Sequence, residues 1–405
     1  MDRRSFLGAV AAAAATGLLP RSLDARTAVA STPRRVIVIG AGIIGSSVAW
    51  HLARRGCDVT ILEARGPAAQ ASGNSFAWLN GGDGGQPHSY HLLRAYALGE
   101  HRRIAQELDW PVRWGGSLEW HDGSPSGLVE HVRRMQGRGS AIRVVNGEEL
   151  RSIEPALVLS GISTLAYAEH DGALDPGKAT RILYDAALRQ GAKGVAPARV
   201  TGISSGSGPF RVATEDDTRE ADVVVVAAGV GTSVIAEMAG LRLPQQSTPG
   251  VIVTTEPMDR IVHKVLYGPD VHVHQRDDGR VVLGEKAGSP QTDEHRALLV
   301  GRPNEFPSAE LTMAHATRIV DLAKQHVPAL AAARVEHAGV GWRPMPADGL
   351  PVLGRARSVP GLYFAVMHSG ITLAPLIGRL AATEILEGID LEILSDFRLE
   401  RIPQG

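Results

Sequence analysis

Val36-Ile37-Val38-Ile39 is an unbroken apolar, β-branched run, the pattern of a strand covered on both faces in a parallel sheet. Gly40-Ala41-Gly42-Ile43-Ile44-Gly45 follows at once, then a helical stretch to Arg55 closed by Gly56 and a second strand, Asp58 to Leu62, ending at Glu63. Two later segments repeat the strand–glycine turn–helix order. Val223 to Val226 leads into Ala227-Ala228-Gly229-Val230-Gly231, and Leu362 to Val366 leads through His368-Ser369-Gly370-Ile371-Thr372 into a helix from about Leu373 to Leu386. Between them Asp175 is placed as the N-cap, and Pro176 in the first turn, of a helix to Arg189. Arg199 to Ile203 and Phe210 to Thr214 read as paired strands. Val251–Thr255, Val271–Gln275 and Val281–Gly284 alternate as antiparallel strands do. The first two of these junctions, separated by a long excursion, predict one sheet assembled from distant segments.

Composition narrows the class. The 405 residues are 44% hydrophobic and 21% charged, an ordinary globular balance that excludes wholesale disorder. Lys and Arg number 42 against 43 Asp and Glu, so the basic excess of a nucleic-acid binder is missing. Cys57 is the single cysteine, which excludes an internal disulfide and a cysteine-based metal cluster; no metal is expected. The first thirty residues read as an export signal: Arg3-Arg4, an uncharged run from Ser5 to Pro20, and Ala28-Val29-Ala30 as a cleavage pattern. The paired arginines resemble the twin-arginine type, which predicts a periplasmic or extracellular protein. The apolar run is too short for a membrane span.

The first junction carries the chemistry. In a dinucleotide-binding fingerprint, Gly40 allows the tight turn, Gly42 lets backbone approach a pyrophosphate, and Gly45 lets the helix pack on the strand. The helix N-terminus offers N–H groups and a positive dipole end to phosphates. Glu63, at the end of the second strand, accepts hydrogen bonds from the adenosine ribose hydroxyls. This pattern does not separate FAD from NAD, although an acid at 63 argues against the 2′-phosphate of NADP. The loop from Glu63 to Gly82, rich in small and polar residues and ending in Phe76-Ala77-Trp78, suits a cofactor extending beyond its pyrophosphate. Its bland alternative is a surface loop with an aromatic anchor.

Taken together the motifs resemble the D-amino-acid-oxidase-like family of FAD-dependent amine oxidoreductases. The resemblance rests on the fingerprint at 40–45 with Glu63, Ala71-Ser72-Gly73-Asn74-Ser75, Asp171-Gly172-Ala173-Leu174-Asp175-Pro176, the Val223–Gly231 junction, Gly341-Trp342-Arg343-Pro344 and His368–Thr372. It implies an α/β fold: a doubly wound, Rossmann-like FAD-binding domain (31–88, 160–245, 336–405) and a mostly antiparallel substrate domain (89–159, 246–335). It also implies that Gly40, Gly42, Ile43, Ile44, Gly45, Glu63 and Ala64 hold the ADP half. Ser72, Asn74 and Ser75 would line the pyrophosphate and ribityl region, with Ala77 and Trp78 near the ring. Val200 would lie at the adenine, Ala228 and Gly229 along the cofactor, and Ser369, Gly370, Ile371 and Thr372 at the flavin's pyrimidine edge.

For the substrate, the resemblance implies Arg343 as a carboxylate clamp, against the alternative of a structural arginine paired with Asp348 or Glu336. His272 aligns with a substrate-contacting tyrosine of related enzymes. His368 replaces an arginine used by glycine oxidase. Lys286 resembles a lysine that assists oxygen reduction in sarcosine oxidase, against the alternative of a solvent-facing lysine. The covalent flavin cysteine of the sarcosine-oxidase type is missing, so FAD is expected to be non-covalent unless a histidine links it. The implied reaction is oxidation of an amine, an amino acid or N-substituted amino acid, by hydride transfer to flavin N5, with imine hydrolysis and reoxidation by oxygen. A D-amino-acid-dehydrogenase-like enzyme feeding a quinone or carrier protein is the alternative. An NAD-linked dehydrogenase and a flavin-holding protein without turnover are more distant rivals.

Overall fold

The computed structural model describes residues 34–81, 87–121, 125–158, 164–206, 208–285 and 304–404. The expected export signal and Lys286 lie outside the described residues. The first two apolar runs meet, as expected, in one six-stranded sheet, and Leu362–Val366 of the third junction joins them. Its order is Val352–Arg355, Leu362–Val366, Val223–Val226, Arg35–Ile39, Asp58–Leu62 and Lys193–Val195. All neighbours are parallel except the edge strand Val352–Arg355, which runs antiparallel to Leu362–Val366.

Burial on both faces explains why these strands carry no polar alternation. Val36 and Val38 join a core with the helices Ile43–Ala53, His88–Ile104, Pro176–Arg189 and Gly370–Glu387. Ile37 and Ile39 point the other way, to Val200, Ile203, Phe210 and Val212 of a three-stranded sheet, Val200–Ser204, Phe210–Thr214 and Thr218–Ala221. Each such side chain contributes about 1.5–3 kcal/mol on full burial. All eleven residues of Ile43–Ala53 are buried, because helices flank it on the sheet. It approaches Gly370–Glu387 closely at Gly378, where a Cβ would lie 2.1 Å from Ser47 Oγ; that hydroxyl donates to Ala374 O at 2.7 Å. The Asp175 carboxylate caps Pro176–Arg189 by accepting from Lys178 N, as its position predicted.

The second large sheet has eight strands in the order Val335–Arg343, Thr248–Thr255, Val281–Glu285, Val271–Gln275, Val265–Tyr267, Ser117–Glu119, Thr164–Ala168 and Ile142–Asn146. It is antiparallel except between Val265–Tyr267 and Ser117–Glu119. Val251, Val253, Val273, Val281 and Leu283 pack on one face against Ala316, Ile319 and Ala323 of the helix Ala309–His326. Gly250, Ile252, His272 and Gly284 alternate onto the opposite face.

The sheets do not respect the segment boundaries expected from the sequence. Thr164–Ala168 and residues 336–343 fall in segments expected for the FAD-binding domain, yet both strands, Thr164–Ala168 and Val335–Arg343, pair into the eight-stranded sheet. The helix His88–Ile104, of which residues 89–104 were expected in the substrate domain, packs with the helices of the parallel sheet. Strand partners are chosen by backbone hydrogen bonds to distant segments, which local composition does not encode. Arg34–Gly405 forms one compact unit.

Candidate cofactor and substrate site

The three fingerprint glycines have three different surroundings. Gly40 has φ +107°, and a Cβ there would lie 2.5 Å from Ala227 O and 3.2 Å from Ala228 Cα. The first and second junctions therefore touch, which brings Ala228 and Gly229 beside Gly40. A Cβ on Gly45 would lie 2.0 Å from Gly40 O, so that glycine is fixed by helix–turn packing. Gly42 is open: an added Cβ would meet only Ser72 Oγ, at 3.2 Å. The same hydroxyl accepts from Ile43 N at 3.0 Å, setting Ser72 at the mouth of the helix before Ile44. A turn crowded at its first and third glycines and clear at its second is the cradle a pyrophosphate requires.

Glu63 is oriented by the same turn. Its carboxylate accepts from Ala41 N and, past Ala64, from Arg65 N, each at 2.8 Å. Its backbone bonds to Val195 O at 3.0 Å and Ala198 N at 2.7 Å, tying it to the segment that enters the strand at the buried Val200. An acid held this way can receive ribose hydroxyls beside the glycine turn.

From Ser72 the loop crosses the face of the eight-stranded sheet opposite the helix Ala309–His326, in steps of two residues. Asn74 lies on Val335–Arg343, where a Cβ on Gly341 would meet Asn74 O at 2.0 Å and one on Gly339 would meet Asn74 Oδ1 at 2.5 Å. Phe76 covers Gly284, whose added Cβ would lie 3.6 Å from the ring. Trp78 reaches Tyr267, ring centroids 4.6 Å apart. Between them Ser75 Oγ accepts from Ala77 N at 3.1 Å, and Ala77 takes φ +60°, a conformation rare outside glycine. The glycines of two strands thus make room for one loop. Cross-strand register puts Gly339, Ile252, Gly284, His272 and Tyr267 in a single row beneath it.

His272 and Arg343 share this face. His272 stacks on Tyr267 at 4.0 Å with rings 6° from parallel, and Phe76 packs against it at 5.5 Å. The Arg343 guanidinium lies over Gly250, where a Cβ would come within 3.0 Å of Nη2. Burial lowers the pKa of Arg343, while Tyr267 and Glu285 favour its charge. Both structural partners considered for it are taken: Asp348 pairs with Arg401 at 2.7 Å and Glu336 with Arg280 at 2.6 Å. Among the described residues no carboxylate forms an ion pair with Arg343, so its planar fork is available to a carboxylate ligand. Glu285 alternates to the sheet's other face and pairs with Arg318 at 2.6 Å.

At the third junction His368 is exposed, and the helix begins at Gly370. Ser369 Oγ accepts from Tyr90 Oη at 2.9 Å and from Arg94 Nη2 at 3.3 Å. Thr372 Oγ donates to Trp78 O at 3.2 Å, joining this turn to the loop that follows Glu63. A Cβ on Gly370 would lie 3.5 Å from Ile44 of the first helix, so the turn Ser369–Thr372, through Ile371, adjoins the fingerprint helix.

Sequence reasoning missed Tyr90, Arg94, His101, Asp171 and Tyr267. Asp171 is buried and accepts from Trp78 Nε1 at 3.0 Å, Gly81 N at 3.0 Å and Ser117 Oγ at 2.7 Å. Burial pushes its pKa up to about 6, against those three donors. His101 is fully buried and its pKa falls to about 4 for the same reason. Tyr90, Arg94 and His101 fall on one stripe of their helix at i, i+4 and i+11, a signal present in the sequence; their partners lie some 270 residues away.

A model of the family described as FAD dependent oxidoreductase (DAO) matches residues 35–384. Glycine oxidase of Bacillus licheniformis is 25% identical over 375 residues, covering 90% of this chain and 96% of that protein. An opine oxidase polypeptide of Agrobacterium tumefaciens (strain Ach5) is 27% identical over 382 residues, with the same shares covered. The crystal structure of glycine oxidase from Geobacillus kaustophilus superposes with a TM-score of 0.81 at 22% identity, covering 91% of this chain and all of that one.

Proposed function

The chain belongs to the family of FAD-dependent oxidoreductases, and on that premise we propose that it oxidises an amino acid or N-substituted amino acid at the carbon beside nitrogen. The observation that carries the substrate class is Arg343, a largely buried guanidinium with no carboxylate partner among the described residues, on the face crossed by the cofactor loop. The names glycine oxidase and opine oxidase, borne by relatives, support a substrate with both a nitrogen and a carboxylate.

Bound FAD supplies, at its N5 atom, the acceptor for the hydride leaving that carbon. Gly40, Gly42 and Gly45 with the end of the first helix would hold the pyrophosphate, and Glu63 the ribose. Ser72, Asn74, Ser75, Ala77 and Trp78 would follow the cofactor across the sheet to the turn Ser369–Thr372. Arg343 grips the substrate carboxylate in two parallel hydrogen bonds, with Gly250 leaving room for the fork. The stacked Tyr267 and His272 bound the same space and limit the poses of the remaining substrate. Orientation is the protein's main contribution, and no acid–base side chain is obligatory. The imine product hydrolyses in water. We assign oxygen as the final acceptor and, from residues 1–30, an exported location.

Anaerobic addition of an amine panel to the purified holoprotein tests this reading. Amino acids should bleach the flavin absorbance, and the same compounds without the carboxylate should not. A colourless protein, or equal bleaching by both sets, overturns it. Peroxide released per turnover in air separates oxygen from a quinone or carrier protein as acceptor.

A further inference from the structure

Pro375 stands inside the helix Gly370–Glu387, five residues after its first. In a regular helix the N–H of residue 375 would donate to the carbonyl of Ile371; proline has none. Such an orphan carbonyl, buried, is costly unless another donor reaches it. His101, on the neighbouring helix His88–Ile104, does so: its Nε2 lies 3.2 Å from Ile371 O and 2.9 Å from Thr372 O. The ring's tautomer is set from the other side. Trp110 Nε1–H can only donate, and it lies 2.9 Å from His101 Nδ1. Nδ1 is therefore the acceptor, and Nε2 carries the proton that the two carbonyls share.

We propose that His101 is a positioning residue, which replaces the hydrogen bond Pro375 cannot make and so holds the turn Ser369–Thr372 in place against the cofactor. This rests on the reading above that the turn faces the flavin. The other contacts of the turn agree with a held element. Tyr90 and Arg94, on the same helix as His101, fix Ser369, and Trp78 O and Asn80 N engage the Thr372 hydroxyl. One helix thereby grips both ends of a four-residue turn, while the cofactor loop joins it through Trp78.

The test is a cycle on the FAD-loaded protein: His101→Leu, Pro375→Ala and the double variant, with His101→Gln as the conservative replacement that keeps a donor. FAD retention, the visible flavin bands and the flavin midpoint potential are read beside thermal unfolding. Losing the bond should weaken FAD retention about tenfold, the size of one buried hydrogen bond, and shift the bands and potential. His101→Gln should recover most of this. In the Pro375→Ala background, where residue 375 regains an N–H, His101→Leu should weaken FAD retention no more than about twofold, since the Ile371 carbonyl is then satisfied; the Trp110 Nε1–H left without its acceptor costs stability alike in both backgrounds. Equal loss of FAD retention in both backgrounds overturns the proposal, as does a lowered melting temperature with unchanged flavin signals. Gly370→Ala is the control on the underlying reading, because the protein tolerates its methyl at 3.5 Å from Ile44. If it alters the flavin signals and His101→Leu does not, the proposal fails alone. If neither alters them, the reading of the turn fails and the proposal with it.

Discussion

Trp78 Nε1–H donates to Asp171 Oδ2 at 3.0 Å, so a buried carboxylate aims the indole that ends the cofactor loop. Three donors converge on that carboxylate. Asp171→Asn puts an NH₂ group where one of them points, and should destabilise the fold by about 1–3 kcal/mol. Trp78 fluorescence should change with it. A wild-type emission spectrum would show that the bond does not orient the ring.

The three fingerprint glycines should respond differently to alanine. Gly45→Ala drives a methyl into Gly40 O and Gly40→Ala into Ala227 O, so each should lower stability by about 1–3 kcal/mol or more. Gly42→Ala meets only Ser72 Oγ, so the protein should fold with a near-normal melting temperature and lose FAD affinity. Melting curves with FAD titrations distinguish the cases.

Arg343→Met should raise the KM for amino acid substrates about 10- to 100-fold, as expected from one or two charge-assisted hydrogen bonds, with a smaller change in kcat. Arg343→Lys should recover little, since an ammonium is not a planar fork. Gly250→Ala, which crowds Nη2 at 3.0 Å, should give a milder rise in KM. Steady-state kinetics in oxygen-saturated buffer check all three.

Stability should fall as the solution is acidified. Burial lowers the pKa of His51 to about 3, His101 to about 4 and His274 to about 3 from 6.5. Below pH 6.5 the unfolded chain takes up protons that the folded protein refuses until about pH 4, so unfolding gains. Asp171 works in the opposite sense. Its folded pKa of about 6 lies above 3.8, so its contribution is fully present below pH 3.8 and lost as pH rises through 6. Burial also lowers His91 and, in the sense of Asp171, raises Glu154 and Glu285; with the three large histidine shifts dominating, the melting temperature should drop between pH 6.5 and 4.5. A rise over that window would contradict these shifts.

Much of the nucleotide half was legible in the sequence because its signals are local. A β-branched run, a glycine turn and a helix start within a dozen residues, and Glu63 lies one strand further on. The sheet face that carries Arg343 and His272 was legible only as candidate residues. Arg343 could be named from its motif, but that Asp348 and Glu336 are occupied by Arg401 and Arg280 depends on chain segments brought together from far apart. His101 showed only as part of a helix stripe and Asp171 only as the start of a motif; their roles were not legible, for a buried polar side chain is explained by its partners and theirs are distant.

The sequence by itself determined the three strand–turn–helix junctions and the residue types each must have, since backbone conformation and helix ends are set within a few residues. Only the tertiary structure decided that Asn74, Phe76 and Trp78 step across one sheet face beneath which the glycines 339, 341 and 284 leave room. It also decided that a proline's missing donor is met by a histidine 274 residues earlier. Strand pairing and side-chain packing join segments whose spacing along the chain carries no trace of their contact.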